Sequence, residues 1–334
     1  FKMNIGIAFD LKEDYLKMGF SEEECAEFDK EETIQALEES IKSLGHNVVR
    51  IGNIYELIKR LSLNEKWDLV FNISEGLYGR SREAQIPAIL EAYKINYTFS
   101  DPLTLALCLD KAMTKKIVRD AGVLTSEFFE VSSVKDIEKS LPNKKMVFPL
   151  FVKPLAEGTS KGISSKSIVH NITELKTQCK KIISKFNQPV IVEKYLSGRE
   201  FTAGVLGTGK DAKVIGVIEI NLKKKAEPLI YSYSNKEFFE TRIEYTLVKE
   251  KKIIKEISDM VLKSYNILKC RDAARVDFRA DDKGKLYFLE INPLAGLNPK
   301  RSDLPIICKK VGISYEELIK QILESSLKNK KNNS

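Results

Sequence analysis

Histidine is nearly missing from this chain: His46 and His170 are the only two in 334 residues. That excludes a histidine-based triad and a histidine-rich metal centre. Cysteine is sparse and scattered. Cys25, Cys108, Cys179, Cys270 and Cys308 form an odd set without C-x-x-C spacing, so neither a disulfide framework nor a zinc site is expected. No apolar run approaches the ~20 residues of a membrane span. No signal peptide precedes the first predicted strand, and Met3 reads as the native start after Phe1-Lys2, so the expectation is a soluble, cytoplasmic protein without a membrane partner. A G-x-G-x-x-G after the first strand is absent, and so is a Walker G-x-x-x-x-G-K-[ST]. The net charge of +8 is spread over lysine-rich helices, densest at Lys328-Asn-Lys-Lys331. It lacks the aromatic-interleaved basic stripe of a nucleic-acid binder, so nucleic acid is not an expected partner and an anionic small molecule is.

What is present is an α/β pattern long enough for two or three cores. Apolar strands are predicted at 3–9, 47–51, 67–73 and 95–98, alternating with helices at 31–44, 54–61 and 83–93. These make a Rossmann-like doubly wound unit over residues 1–100. A long helix is expected from 101 to about 122, then strands at 127–131, 149–154 and 163–169 with helices at 134–141 and 174–186. From 189 the chain becomes α+β: strands at 189–196, 200–206, 213–220 and 229–233, a helix at 253–268, a hairpin, and helices at 303–310 and 315–327. The implied divisions are 1–100, 101–189, 190–327 and a frayed basic tail at 328–334.

Three stretches carry chemistry. In Ala274-Arg-Val-Asp-Phe278 and Leu289-Glu-Ile-Asn292, Arg275 and Asp277, then Glu290 and Asn292, are two apart and share a strand face. A hairpin turning at Asp281-Asp-Lys-Gly284 would gather these oxygens into a hard-ligand site suited to Mg²⁺, although a half-exposed hairpin shows the same alternation. The loop Glu157-Gly-Thr-Ser-Lys-Gly162 offers two glycines, two hydroxyls and a lysine, as a phosphate cover does and as a tight turn also does. Lys153 precedes it in Leu-Phe-Val-Lys-Pro, where a charge needs a partner. The polar loop at 71–85 follows the third strand, where open α/β sheets bind ligands, with Glu75, Arg80, Arg82 and Glu83 as candidate contacts.

In order, Val152-Lys-Pro-Leu-Ala-Glu-Gly-Thr-Ser-Lys-Gly162, Val192-Glu-Lys-Tyr-Leu-Ser-Gly-Arg-Glu-Phe-Thr202 and the hairpin with Leu289-Glu-Ile-Asn-Pro293 resemble the ATP-grasp superfamily, and within it the D-alanine–D-alanine ligase group. Leu109-Asp-Lys111 and Tyr97-Thr-Phe-Ser100 fit the same pattern, so the likeness runs from the first strand to about Ser302. The resemblance implies an ATP-grasp fold and an ADP-forming ligase joining small-molecule amino acids through an acyl phosphate, with a place in peptidoglycan synthesis and a homodimeric assembly. It implies that Lys111 and Lys153 bind ATP phosphates, and that Glu193, Tyr195, Leu196 and Leu289 hold adenine while Glu200 holds the ribose. Glu157, Gly158, Thr159 and Ser160 would close over the phosphates, with Thr159 and Ser160 also orienting the reaction. Lys236 would come from a mobile loop. Asp277, Glu290 and Asn292 would bind two Mg²⁺ ions, or Mn²⁺, and Arg275 with the Gly296 N–H would stabilise an oxyanion.

The departures lie on the amino-acid side. The loop at 74–83 lacks the group's histidine, Glu237 replaces a tyrosine, and the Asn-Thr-x-Pro-Gly turn is Asn292-Pro-Leu-Ala-Gly296. The serine-leucine pair that meets the second carboxylate falls at Arg301-Ser302. The early acid that would hold the first amino group is Glu27 or Asp29. Two alternatives therefore stand: a related ligase with another donor or acceptor, and a non-catalytic nucleotide-binding protein of the same fold.

Overall fold

Asn4–Ala8 (β1) is apolar on both faces, as a strand flanked by parallel neighbours and covered by helices must be. In the computed structural model, which describes residues 2–137, 146–223, 232, 234–235 and 238–332, β1 lies between Asn47–Gly52 (β2) and Leu69–Asn72 (β3) and is parallel to both. A short helix that the sequence pattern did not reveal, Lys12–Lys17 (α1), leaves the carboxyl end of β1. Glu31–Ser43 (α2), which Gly45 ends at φ +89°, Ile54–Ser62 (α3) and Gln85–Ala92 (α4) complete the unit. The fourth strand expected at 95–98 is reduced to one bridge, Tyr97 to Val70. Left-handed Lys94 (φ +56°) and Phe99 (φ +71°) turn the chain away on either side of it.

The single long helix expected after residue 101 is two helices, Pro102–Leu109 (α5) and Lys111–Asp120 (α6). Asp110 between them is extended (φ −84°, ψ 100°), and its carboxylate accepts a hydrogen bond from Met113 N. A cap cannot sit inside a helix, so the cap is the break. The middle sheet is antiparallel, ordered Phe128–Val131 (β4), Val190–Lys194 (β7), Leu150–Pro154 (β5), Ile168–Val169 (β6). It thus takes a strand from beyond residue 189. The strand expected over 163–169 is only those two residues, because a 3₁₀ turn at Ser165–Ser167 precedes them. Ile172–Phe186 (α7) covers this sheet with Leu175, Cys179 and Ile182. A 3₁₀ turn at Val134–Asp136 opens the expected helix at 134–141, whose later part lies outside the described residues.

The largest sheet includes Glu200–Leu206 (β8), Lys213–Leu222 (β9), and Ala273–Ala280 (β11) with Leu286–Asn292 (β12). A further strand, Ile243–Leu247 (β10), follows the four-residue helix Phe239–Arg242 (α8), and both are additions to the sequence reading. The sheet order is β10-β9-β8-β11-β12. Of the strand expected at 229–233, only Ser232 lies among the described residues, and it is not in a strand. Lys251–Ile267 (α9) packs Ile257, Val261 and Tyr265 against Phe201, Phe278 and Phe288 on one face. Asp303–Lys310 (α10) and Tyr315–Asn332 (α11) join the core of the first sheet through Leu304, Leu318 and Ile322. The helix α11 continues through residues expected to fray, to Asn332. No helix among the described residues is long and apolar enough to cross a membrane.

Candidate active site

The alternation read from the hairpin holds in space. Across β11 and β12, Asp277 faces Glu290 and Arg275 faces Asn292, so all four side chains share one face. Arg275 Nη1 donates to Asp277 Oδ2 at 2.7 Å and to Asp303 Oδ2 at 3.3 Å, and Nη2 lies 3.9 Å from Glu290. Asp303 opens α10 and was missed in the sequence, where it looks like any acid in a first helical turn. Burial raises the Asp277 carboxyl to about 7; Arg275 opposes this, and Glu290 and Asp303 reinforce it. Three carboxylates around one guanidinium leave an excess of negative charge, and Asp303 Oδ1 is buried without a hydrogen-bond partner in the structure. Among the described residues no three such groups converge into an all-protein cage. That combination fits Mg²⁺, which keeps waters and is held by one or two carboxylates plus substrate phosphates. Asn292 is set apart: its Oδ1 accepts from Leu294 N at 3.2 Å and it faces a second cavity.

The first cavity lies between the middle sheet and the hairpin. Lys153 on β5 meets Glu193 on β7 at 2.9 Å, and Lys115 on α6 meets the other oxygen of Glu193 at 2.7 Å. Lys115, fully buried, also donates to Thr125 Oγ1 at 2.8 Å and to Phe288 O at 3.3 Å. Burial lowers the Lys115 ammonium pKa despite Glu193. For Lys153 burial pulls down, but Glu193 and Glu290 outweigh it and the pKa is raised. Burial would raise Glu193; the two lysines override it and hold it at about 2. The sequence did carry a signal for Lys115: it falls one helical turn from Lys111 and Val118, on the buried face of α6. Lys111 Nζ donates to Glu157 O at 2.7 Å and stands 3.5 Å from Glu290. Phe151 and Tyr195 stack with centroids 6.5 Å apart, while Leu196 and Leu289 add apolar wall, a setting for a flat base. Glu200, raised by burial, pairs with Arg279 at 3.2 Å.

The loop over this cavity is strained. Thr159 (φ +50°) and Ser160 (φ +56°) are consecutive left-handed residues at the centre of a turn that Lys161 N closes on Gly158 O at 3.0 Å, a conformation that costs a non-glycine residue about 1–3 kcal/mol. Gly162 (φ +75°) cannot be replaced freely, since a Cβ there would stand 2.7 Å from Pro154 Cγ.

A second cavity adjoins the first. Glu75, Asn292, Gly296, Arg301 and Ser302 line it, and both Thr159 and Arg275 line both cavities. Burial raises the Glu75 carboxyl well above its ordinary value, with Glu83 adding to it. Arg82 is turned into the protein, where Nη2 reaches Glu27 at 3.0 Å. Arg80 is largely exposed and pairs with Asp110 at 2.5 Å, so it lines neither cavity. Lys236 lies outside the described residues.

Residues 117–324 match the family described as "D-ala D-ala ligase C-terminus". The chain is 33% identical over 291 residues to the D-alanine–D-alanine ligase of Aquifex aeolicus, which spans 87% of this chain and 93% of that protein. To D-alanine–D-alanine ligase A of Bacillus cereus it is 32% identical, over 83% of this chain and 89% of that one. The solved Bacillus anthracis D-alanine–D-alanine ligase complexed with ATP superposes with a TM-score of 0.76 at 26% identity, covering 99% of this chain and 100% of that one.

Proposed function

The chain belongs to the D-alanine–D-alanine ligase family of ATP-grasp enzymes, and from that premise we propose that it joins two amino acids, D-alanine first among them, by an ATP- and Mg²⁺-dependent reaction. The observation that carries the reading is the pair of cavities meeting at Arg275 and Thr159. One has the lysines and stacked rings that suit ATP, and the other the polar walls that suit amino acids.

The substrate carboxylate attacks the γ-phosphorus, ADP departs, and an acyl phosphate forms. The second substrate's amine then attacks that carbonyl, gives up a proton, and inorganic phosphate leaves. Lys153 and Lys111 bind and orient the phosphates, at an ammonium pair already organised by Glu193 and by Glu157 O. Asp277 and Glu290 would hold Mg²⁺, which supplies charge neutralisation at the transferred group when bound. Arg275, at the boundary between the cavities, stabilises the oxyanion of the tetrahedral intermediate together with the N–H of Gly296, a residue that lines the second cavity. Thr159 and Ser160, which line the nucleotide cavity, cover the phosphates and exclude water.

The test is phosphate release from ATP with Mg²⁺ across single and paired D- and L-amino acids, with the product mass recorded. Release with D-alanine alone and a D-alanyl-D-alanine mass is expected, and a chelator should abolish it. Release only with a different pair would overturn the D-alanine assignment. Arg301 and Lys30, two cations on the second cavity, favour as the second reading an acceptor bearing an additional carboxylate.

A further inference from the structure

A third cavity, of about 220 Å³, lies where the loop at 157–162 runs on into Ile163 and Ser164 and meets α7. It is separate from the two already described, since Ile163 alone is shared, and only with the nucleotide cavity. From α7 it takes Gln178, Lys181, Ile182, Lys185 and Phe186, whose three- and four-residue spacing puts them on one helical face. Gln178 is only 5% exposed, and among the described residues its carboxamide has no hydrogen-bond partner. A buried amide without a partner calls for an explanation, and this one lines an open space large enough to hold its missing partner.

The charges around that space define what fits. Lys185 is already paired with Glu23 across the cavity. Lys181, one turn along α7 from Gln178, is in no salt bridge among the described residues. Two ammonium groups against one carboxylate leave the lining with a single positive charge, which a monoanion neutralises. The Lys181 ammonium and the Gln178 N–H₂ are two donors for the two oxygens of a carboxylate. Ile163, Ile182 and Phe186 supply an apolar surface for a short alkyl part. A volume below the roughly 300–1,000 Å³ of drug-sized pockets limits the ligand to a handful of heavy atoms.

We propose that this cavity binds a small organic monocarboxylate through Gln178 and Lys181, and that its occupancy strengthens nucleotide binding by bracing the loop at 157–162. The brace is direct. Gly162 ends the loop against the cavity's floor, so closely that a Cβ there would stand 2.8 Å from Phe186 Cε2. Ile163 and Ser164, the next two residues, form the cavity's wall. A ligand that needs this wall stabilises the loop arrangement in which Thr159, Ser160 and Lys161 line the nucleotide cavity. By linkage, nucleotide and carboxylate each tighten the other. The coupling rests on the nucleotide reading above; the site itself does not.

The experiment uses propionate as the probe, with sodium chloride at equal ionic strength as the control. The first readout is the side-chain amide signal of Gln178 in the ¹⁵N-labelled intact protein. A saturable shift with propionate is expected, with affinity at least about fivefold weaker in Lys181→Met. No shift, or the same titration in Lys181→Met, overturns the site. The second readout is calorimetric binding of Mg-ADP, expected to be about fivefold tighter with saturating propionate and unaffected by it in Gln178→Met and Lys181→Met. Tightening that persists in both variants places the effect elsewhere and overturns the proposal. An unchanged Mg-ADP affinity beside a shifting Gln178 amide overturns the coupling and supports the site. Should Gln178→Met fail to fold, Lys181→Met, at an exposed position, carries both comparisons. If Mg-ADP does not bind at all, the nucleotide reading fails, and the amide titration alone decides the site.

Discussion

Replacing Lys115 by methionine isolates one ammonium group in the core while keeping its stem. Glu193 sits between Lys115 at 2.7 Å and Lys153 at 2.9 Å, and all three are buried. The bare attraction of one pair at that distance is roughly 6 kcal/mol at an effective dielectric of about 20. Most of it offsets the cost of dehydrating both ions, so the attraction alone does not give the loss. Removing one partner from such a buried set typically costs about 3–5 kcal/mol, and here the carboxylate keeps only Lys153. At about 2 °C per kcal/mol for a large domain, the melting temperature of Lys115→Met should fall by about 6–10 °C. Adding Glu193→Gln in the same chain should cost less than the sum of the two single changes, since the Lys115–Glu193 attraction can be lost only once, although Lys153 then also loses its partner. The deficit also has a pH signature. Glu193 is depressed to about 2 in the folded protein, below its unfolded value, so its contribution is complete above the unfolded pKa of about 4.3 and lost as pH falls toward 2. Wild type and Lys115→Met should therefore converge below about pH 4. The assay is calorimetric melting of the two single variants and the double variant. A single-variant shift under about 2 °C at pH 7, or a strictly additive double variant, would refute the reasoning.

Arg275→Met should lower kcat by about 10²–10³ while nucleotide affinity changes less than about threefold; comparable losses of both would remove it from the reacting centre. Gly162→Ala should weaken ATP binding and lower the melting temperature, since its Cβ would press on Pro154 and Phe186; titration and melting check it, and an unchanged protein would show that the loop yields freely. Asp272, buried against Phe99 N at 2.7 Å, is raised by burial to about 6. Its protonated form stabilises the fold fully below the unfolded pKa, and that stability is lost as pH rises through about 6. Asp272→Asn should thus gain on wild type by roughly 3 kcal/mol between pH 4 and pH 7. Parallel melting curves across that range would contradict this.

The hairpin was legible because a strand's period of two is rigid: once Arg275, Asp277, Glu290 and Asn292 were read as alternating, the pairing of Asp277 with Glu290 followed. The loop at 157–162 was legible from its glycines and hydroxyls. Asp110 was not, since a helical pattern continues across it, and only the capping bond to Met113 N and the pair with Arg80 make it extended. The bridge at Tyr97 was hidden for a related reason: left-handed Lys94 and Phe99 have no mark in residue type. Lys161 read as one more loop charge, and its contact with Glu27 spans 134 positions that no local pattern can join.

The interruption at Asp110 has an electrical consequence. It creates a fresh helix start, and the residue installed there is Lys111, so a full positive charge stands on the positive pole of α6. Like poles set together raise the energy of the protein, which the capping carboxylate of Asp110 and the nearby oxygens of Glu157 and Glu290 oppose. A polyphosphate arriving at this spot therefore does more than fill space: it discharges a repulsion built into the backbone. The stabilisation it confers should be largest at low ionic strength, where mobile anions have not already done the same work.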